Sequence, residues 1–139
     1  MAEGTTKRGQ AGMFTYRKTD KGNFIFYLVA SNHETLAYGE AYPYESSCLA
    51  GIESVRKFAP IVFDGKIEDQ TKAKVEEITH PKWEVYKDKS GKFRFRLKAN
   101  NGNLLAVSES GYASKQGCIN GMMSVANQSK DAPVIKLEK

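Results

Sequence analysis

Phe24-Ile25-Phe26-Tyr27-Leu28-Val29-Ala30 and Phe93-Arg94-Phe95-Arg96-Leu97-Lys98-Ala99 stand 69 residues apart and share one alternation. In each stretch two phenylalanines, a leucine and an alanine take every second position, which puts all four on one face of a β-strand. Working outward, the match stays in register from Phe14–Ala41 to Trp83–Ser110, so that Lys18, Gly22, Asn32, Leu36 and Glu40 return as Lys87, Gly91, Asn101, Leu105 and Glu109. One inserted residue later it resumes at an offset of 70, where Tyr42, Cys48, Gly51, Ser54 and Val55 recur as Tyr112, Cys118, Gly121, Ser124 and Val125. Self-similarity at such a period marks one supersecondary unit present twice.

Each unit opens on a short aromatic and β-branched segment, from Phe14 to Lys18 and from Trp83 to Lys87, that suits a strand. A charged turn ending in Gly22 or Gly91 leads to the alternating strand. Asn32-His33 and Asn101-Gly102 then supply a hairpin turn. A third strand runs through Leu36 or Leu105. Beyond Tyr42 and Tyr112 the period changes. Tyr44, Cys48, Ile52 and Val55, and likewise Cys118, Met122 and Val125, lie three and four apart, which predicts a helix with one apolar face. Ser114 is placed to cap the second helix, while Pro43 offers an early-helix residue in the first. Gly51 and Gly121 fall in mid-helix, where each costs about 1 kcal/mol relative to Ala. Their recurrence predicts a helix lying too close to its sheet to admit a side chain.

Ala59-Pro60-Ile61 and Ala132-Pro133-Val134 are read as opening a last strand, with Asp64-Gly65 as a hairpin turn in the first copy. Lys72 to Ile78 fits either a short helix or a strand. The expected fold is α+β: two tandem β-β-β-α-β repeats forming one shared, antiparallel-rich sheet with both helices packed on one face. The expected division is a disordered tail over 1–12, repeats over 13–68 and 83–139, and a linker over 69–82, all in one compact domain.

Trp83-Glu84-Val85-Tyr86-Lys87-Asp88-Lys89, Gly91 to Gly102, Ser108-Glu109 and the Cys118, Gly121, Ser124-Val125 helix resemble the YegP-like family of small bacterial proteins. The resemblance covers nearly all of Phe14 to Leu137. It implies β3-α-β units paired in one sheet, with an exchange of last strands as one option, and it brings no established activity. The first repeat departs from the pattern, with Ile25, Tyr27 and Val29 where the second has Arg94, Arg96 and Lys98, and with His33 in place of the turn glycine. The second departs at Met122-Met123, where the family helix usually reads Ile-Glu.

The chain has 139 residues, 40% hydrophobic and 27% charged, the profile of one ordinary globular domain. No apolar run approaches the ~20 residues of a membrane span. Met1 to Gly12 lacks the apolar core of a signal peptide, so the expected address is the cytoplasm. Cys48 and Cys118 fall on the helices' apolar stripes and read as buried thiols, since a reducing compartment disfavours a disulfide.

His33 sits in a turn and His80 before a proline, and neither has a partner at metal-ligand spacing. No nucleophile, base and orienting group stand together, and no cofactor motif is present. Glu40 and Glu109 recur at equivalent positions. A two-carboxylate mechanism would need them about 5 to 10 Å apart, and turn and helix-dipole roles account for them more simply.

The net charge of +5 is uneven: Glu84–Lys98 holds six basic and two acidic residues, whereas Asp64–His80 holds three basic and five acidic. Lys92, Arg94, Arg96 and Lys98 point away from the Phe93-Phe95-Leu97 face, and Ile25, Tyr27 and Val29 point the same way. A continuous sheet would therefore present a basic half and an apolar, aromatic half. Three readings follow. The face is solvated, or self-associates, or is covered by a linker whose Glu68, Asp69, Glu76 and Glu77 pair with the basic stripe. It is a non-enzymatic module whose apolar patch around Ile25, Tyr27 and Val29 mediates dimerisation or binds a protein partner, so that Tyr27→Glu would weaken self-association. Or it binds single-stranded nucleic acid through Arg94, Arg96 and Tyr27, with phosphates on the cations and bases on the aromatics.

Overall fold

Eight strands form one sheet in the order β4-β5-β6-β7-β3-β2-β1-β8. The structure, a computed structural model, describes residues 12–138, so the tail expected over 1–12 lies outside the described residues except for Gly12. The first unit supplies β1 (Met13–Lys18), β2 (Phe24–Val29), β3 (Thr35–Tyr38), α1 (Glu45–Phe58) and β4 (Ile67–Asp69). The second supplies β5 (Lys82–Lys87), β6 (Phe93–Lys98), β7 (Leu104–Ser108), α2 (Lys115–Ser129) and β8 (Val134–Lys136). Inner pairs are antiparallel and the two outermost are parallel.

Each unit gives its last strand to the other. β4 pairs with β5, and β8 pairs with β1. The bonds correspond one to one: Trp83 N–H donates to Lys66 C=O as Phe14 N–H does to Pro133 C=O, and Gln70 N–H to Val85 C=O as Leu137 N–H does to Tyr16 C=O. At the centre β3 meets β7, where Tyr38 pairs with Val107, its own counterpart in the other unit. A pseudo-two-fold axis thus passes between β3 and β7.

Both helices lie on one face. Phe26, Leu28, Phe95 and Leu97 turn towards them and are buried with Ile52, Val55, Met122, Val125 and the free thiols Cys48 and Cys118. Burial pushes the Cys48 thiol up to about 11 and Cys118 up to about 12. A stack fixes each helix to its sheet: Phe26 on Tyr42 and Phe95 on Tyr112, both at 6.1 Å between ring centroids. A Cβ at Gly51 or Gly121 would collide with the tyrosine hydroxyl of that stack, the close approach that the recurring glycine predicts. Ser114 caps α2 by accepting from Gly117 N–H at 2.9 Å.

Several expectations need correction. Tyr44 does not belong to the apolar face: it is the N-cap of α1 and exposed, and Pro43 precedes the cap instead of opening the helix. Residues Ala59–Asp64 form a 3-10 turn, not a strand, ended by Gly65 in the left-handed region at φ 76°. The two Ala-Pro pairs are not equivalent, because Ala59 closes α1 whereas Ala132 lies three residues beyond α2. The turn buries Val62 and delays the strand to Ile67. Lys72 to Ile78 is neither helix nor strand.

The helix ends show one problem solved twice. The C-terminal carbonyls of a helix have no intrahelical donor. At the end of α1 the indole of Trp83 donates to Ala59 C=O at 3.0 Å. Phe14, the counterpart of Trp83, has no side-chain N–H to offer. There Arg56 reaches across from α1, donates to Ser129 C=O at 2.7 Å and Ala132 C=O at 3.0 Å, and lies 5.3 Å over the Phe14 ring. Arg56→Ala is therefore expected to lower stability by about 2 kcal/mol, the worth of charged hydrogen bonds to buried acceptors. Urea denaturation measures it, and a loss below about 0.5 kcal/mol, as at an ordinary surface position, would contradict the assignment.

Candidate functional site

Registered pairing carries one row of side chains across the face opposite the helices. It begins Glu68, Glu84, Arg96 on β4, β5 and β6, and continues Val107, Tyr38, Tyr27, Thr15 and Ile135 on β7, β3, β2, β1 and β8. The row is ionic on one side of the pseudo-two-fold axis and apolar or uncharged on the other. The correspondence holds beyond the row with one exception, Arg17, which pairs with Ile25 on the apolar half where the ionic half has Tyr86. Glu84 stands where the first unit has Thr15, Lys82 where it has Met13, and Arg94, Arg96 and Lys98 where it has Ile25, Tyr27 and Val29. The exchanged strands follow suit, with Glu68 and Gln70 on β4 standing where β8 has Ile135 and Leu137.

The ionic half is not a free basic stripe. Arg96 donates to Glu84 at 2.5 Å and to Gln70 at 2.8 Å, and its guanidinium sits 4.3 Å over the Tyr86 ring. Lys98 lies 3.4 Å from the same Glu84 carboxylate. Lys82 bridges Glu68 at 2.6 Å and Glu84 at 3.3 Å. Arg94 is held by Asp88 at 2.7 Å. Lys92 is not in the strand; it lies in the preceding turn, where its backbone N–H donates to Asp88. Glu84 organises this half and is 2% exposed. Its signal in the sequence was its place between the core residues Trp83 and Val85, which forces it onto the open face beside three cations.

The segment after β4 closes over these ions. Ile78 N–H and the Gln70 amide both donate to Glu68, and Lys66 Nζ to Thr79 C=O. Glu68 is left 3% exposed. Asp69 turns to the helix side and pairs with Lys115 at 2.6 Å. Glu76 and Glu77 stay exposed, with no ion pair among the described residues. The linker thus covers the charged half and not the apolar one.

On the apolar half Ile25, Tyr27 and Val29 are half-buried, Tyr27 leans on Tyr38 with centroids 6.5 Å apart, and Ile135 is 42% exposed. Among the described residues no segment follows β8 as residues 70–81 follow β4.

Glu40 and Glu109 line two separate, pseudo-symmetric clefts, so the molecule has more concavity than its open face offers. Glu40 shares about 520 Å³ with Tyr42, Ser47, Ser54 and the Gly102-Asn103 turn, and Glu109 about 390 Å³ with Glu34, Thr35 and Tyr112. Among the described residues no hydrogen bond joins a hydroxyl to a carboxylate within either cleft. His33 occupies the turn with φ 73°, matching Gly102 at 86°, and His80 packs beside Gly102. No group of three or more His, Cys, Asp or Glu among the described residues could hold a metal ion.

The buried carboxylates are strongly acidic. Burial alone would raise Glu68, but hydrogen bonds from Gln70, Lys82 and Ile78 outweigh it and hold the group at about 2. Burial likewise opposes Asp69, where Lys115 and Thr71 prevail to give about 2, while Arg96 and Lys82 draw Glu84 down. A carboxylate whose folded pKa lies below its unfolded value stabilises the fold fully above the unfolded pKa and loses that contribution as pH falls. For Glu68 the window runs from 4.5 down to about 2. Glu84→Gln strands Arg96 and Lys82 and should cost about 3 kcal/mol at neutral pH, with a shallower further loss on acidification than the wild type. Urea denaturation at pH 7 and pH 3 tests both; equal stability of the two proteins at pH 7 would contradict it.

Comparison with known proteins agrees with this geometry. A family model described as a domain of unknown function, DUF1508, matches residues 20–62 and again 88–135. A UPF0339 protein from Pseudomonas aeruginosa is 34% identical over 88% of this chain and 94% of its own length. A UPF0339 protein from Treponema denticola has the size of one unit, 55% identical over 56 residues that make up 95% of it and 40% of this chain. The solution structure of yegP from E. coli, a protein of unknown function, superposes with a TM-score of 0.72 at 29% identity, over 91% of this chain and 93% of that one. With the same unit matched twice, a full-length relative and a shared fold, this chain belongs to the DUF1508 family of UPF0339, YegP-like proteins.

Proposed function

We propose that this protein is a non-enzymatic interaction module whose contact surface is the apolar half of the open sheet face, around Ile25, Tyr27 and Val29, and whose partner is a polypeptide. The observation that carries the reading is the difference between two halves built on one plan. Where the second unit neutralises Arg94, Arg96, Lys98 and Lys82 with its own carboxylates beneath a covering segment, the first places Ile25, Tyr27, Val29 and Met13. These side chains are half-buried and run on to the exposed Ile135, an apolar row of the kind that contact sites use, and tyrosine is enriched where contacts are strongest. Two free buried thiols fit a reducing, cytoplasmic setting. The clefts beside Glu40 and Glu109 offer no paired nucleophile and base, which favours binding over catalysis.

Single-stranded nucleic acid is the alternative occupant, and the charges weigh against it. Phosphates would have to displace Glu84 from Arg96 and Asp88 from Arg94, both at close hydrogen-bonding range. Photo-crosslinking separates the two. With Tyr27→p-benzoylphenylalanine, irradiated cells should yield discrete protease-sensitive adducts. The same replacement at Tyr86, on the ionic half, should yield none. Equal adducts from both positions, or none from position 27, would contradict the proposal; nuclease-sensitive adducts would assign the face to nucleic acid.

A further inference from the structure

An open sheet has two edges, and this one treats them differently. At β4 the chain doubles back, with Ile78 bonded to Glu68 and Thr79 to Lys66, and the strand itself carries Glu68 and Asp69. Charge and covering are two devices that keep an edge strand from pairing with another chain. β8 is uncovered among the described residues, and its one charge, Lys136, lies on the helix side, 3.3 Å from Glu45.

Its backbone is set for pairing. Pro133 C=O and Leu137 N–H bond to β1, and the parallel register turns Ile135 the same way. The N–H and C=O groups of Val134 and Lys136 therefore face outward, and among the described residues they meet no hydrogen-bond partner. Ile135 and Leu137 beside them are 42% and 41% exposed. Ile135 also ends the row that runs through Tyr38, Tyr27 and Thr15, so this edge is continuous with the apolar half of the face.

We propose that β8 is a homotypic docking edge, at which two copies of this chain pair antiparallel about a two-fold axis through Ile135. The inference rests on the interaction-module reading and adds one partner, a second copy, at one place. In this register Val134 lies opposite Lys136 of the second copy, and each such pair exchanges two backbone hydrogen bonds through the outward groups. Ile135 meets Ile135 of the second copy at the non-hydrogen-bonded position, where Cα atoms approach to about 4.5 Å and side chains touch. No like charges face each other, since Lys136 stands across from valine. The corresponding pairing at β4 would set Glu68 against Glu68, two carboxylates face to face. Because the contact is isologous it closes at a dimer, and it doubles the apolar row available to a further partner.

Sedimentation equilibrium of the full chain, from micromolar to near-millimolar concentration, tests it. The wild type should show a monomer–dimer equilibrium. Val134→Pro removes an outward donor that β1 does not use, and should raise the dissociation constant by about tenfold or more. Ile135→Glu, which sets two carboxylates together, should do the same, with far-UV circular dichroism confirming that both variants stay folded. Tyr27→Glu lies two strands inward and should leave the dimer intact. A wild type monomeric throughout, or a dimer indifferent to both β8 variants, overturns the proposal. A dimer lost only in Tyr27→Glu would place the second copy on the face, overturning the edge while sustaining the interaction module. Dissociation by Val134→Pro without crosslinks from position 27 would do the reverse.

Discussion

The backbone ladder between strands given by one unit to the other is the constraint on which the rest of the molecule depends. β8 completes the sheet beside β1, and β4 beside β5, so neither unit satisfies its own edge. Buried N–H and C=O groups need partners, and β1 finds them on β8 at the far end of the chain while β5 finds them on β4 just before it. The exchange also carries each helix end to a side chain of the opposite unit: Ala59 to the Trp83 indole, and Ser129 to the Arg56 guanidinium. Sheet closure and helix capping are therefore one event. The hydrophobic core of both units forms as a single body around the β3–β7 contact.

That shared frame is what makes the open face informative. A duplicated backbone presents equivalent positions twice, and differences between them reflect side-chain chemistry and not topology. In the second unit Glu84, buried between strands, can be accommodated only because Lys82, Arg96 and Lys98 converge on it. An unpaired buried charge would cost several kcal/mol. In the first unit Thr15 replaces that carboxylate, and with it the need for cations disappears. The apolar side chains that stand there add no such internal partners. One half is closed on itself, and the other is the surface proposed to meet a partner.

Much of this was legible in the residues. Period-two alternation in Phe24–Ala30 and Phe93–Ala99 defined the strands and their core face, and Gly51 with Gly121 announced the stack against Tyr42 and Tyr112. Local coincidences misled where tertiary packing decides. The two Ala-Pro pairs look alike, yet burial of Val62 turns one into a 3-10 helix. Tyr44 has helical spacing but falls one residue before the helix begins. Which strand completes which unit is a long-range choice on which periodicity is silent. The basic stripe and a linker able to cover it were both legible, but not which carboxylates neutralise it: Glu84 does so from the adjacent strand and Glu68 binds Lys82, while Asp69 turns to Lys115. The apolar half around Ile25, Tyr27 and Val29 needed only the alternation, and it lies where the alternation puts it.

Amide and methyl NMR spectra recorded across a dilution series most directly test the claim that two copies of the chain meet at β8, the edge of the first unit's half of the sheet. Concentration-dependent shifts should gather on β8, β1 and β2, led by the amides of Val134 and Lys136 and the methyl groups of Ile135, with the Glu84–Arg96 half unmoved. Shifts confined to β5 and β6 or to the helices, or spectra that do not change with concentration, would contradict it.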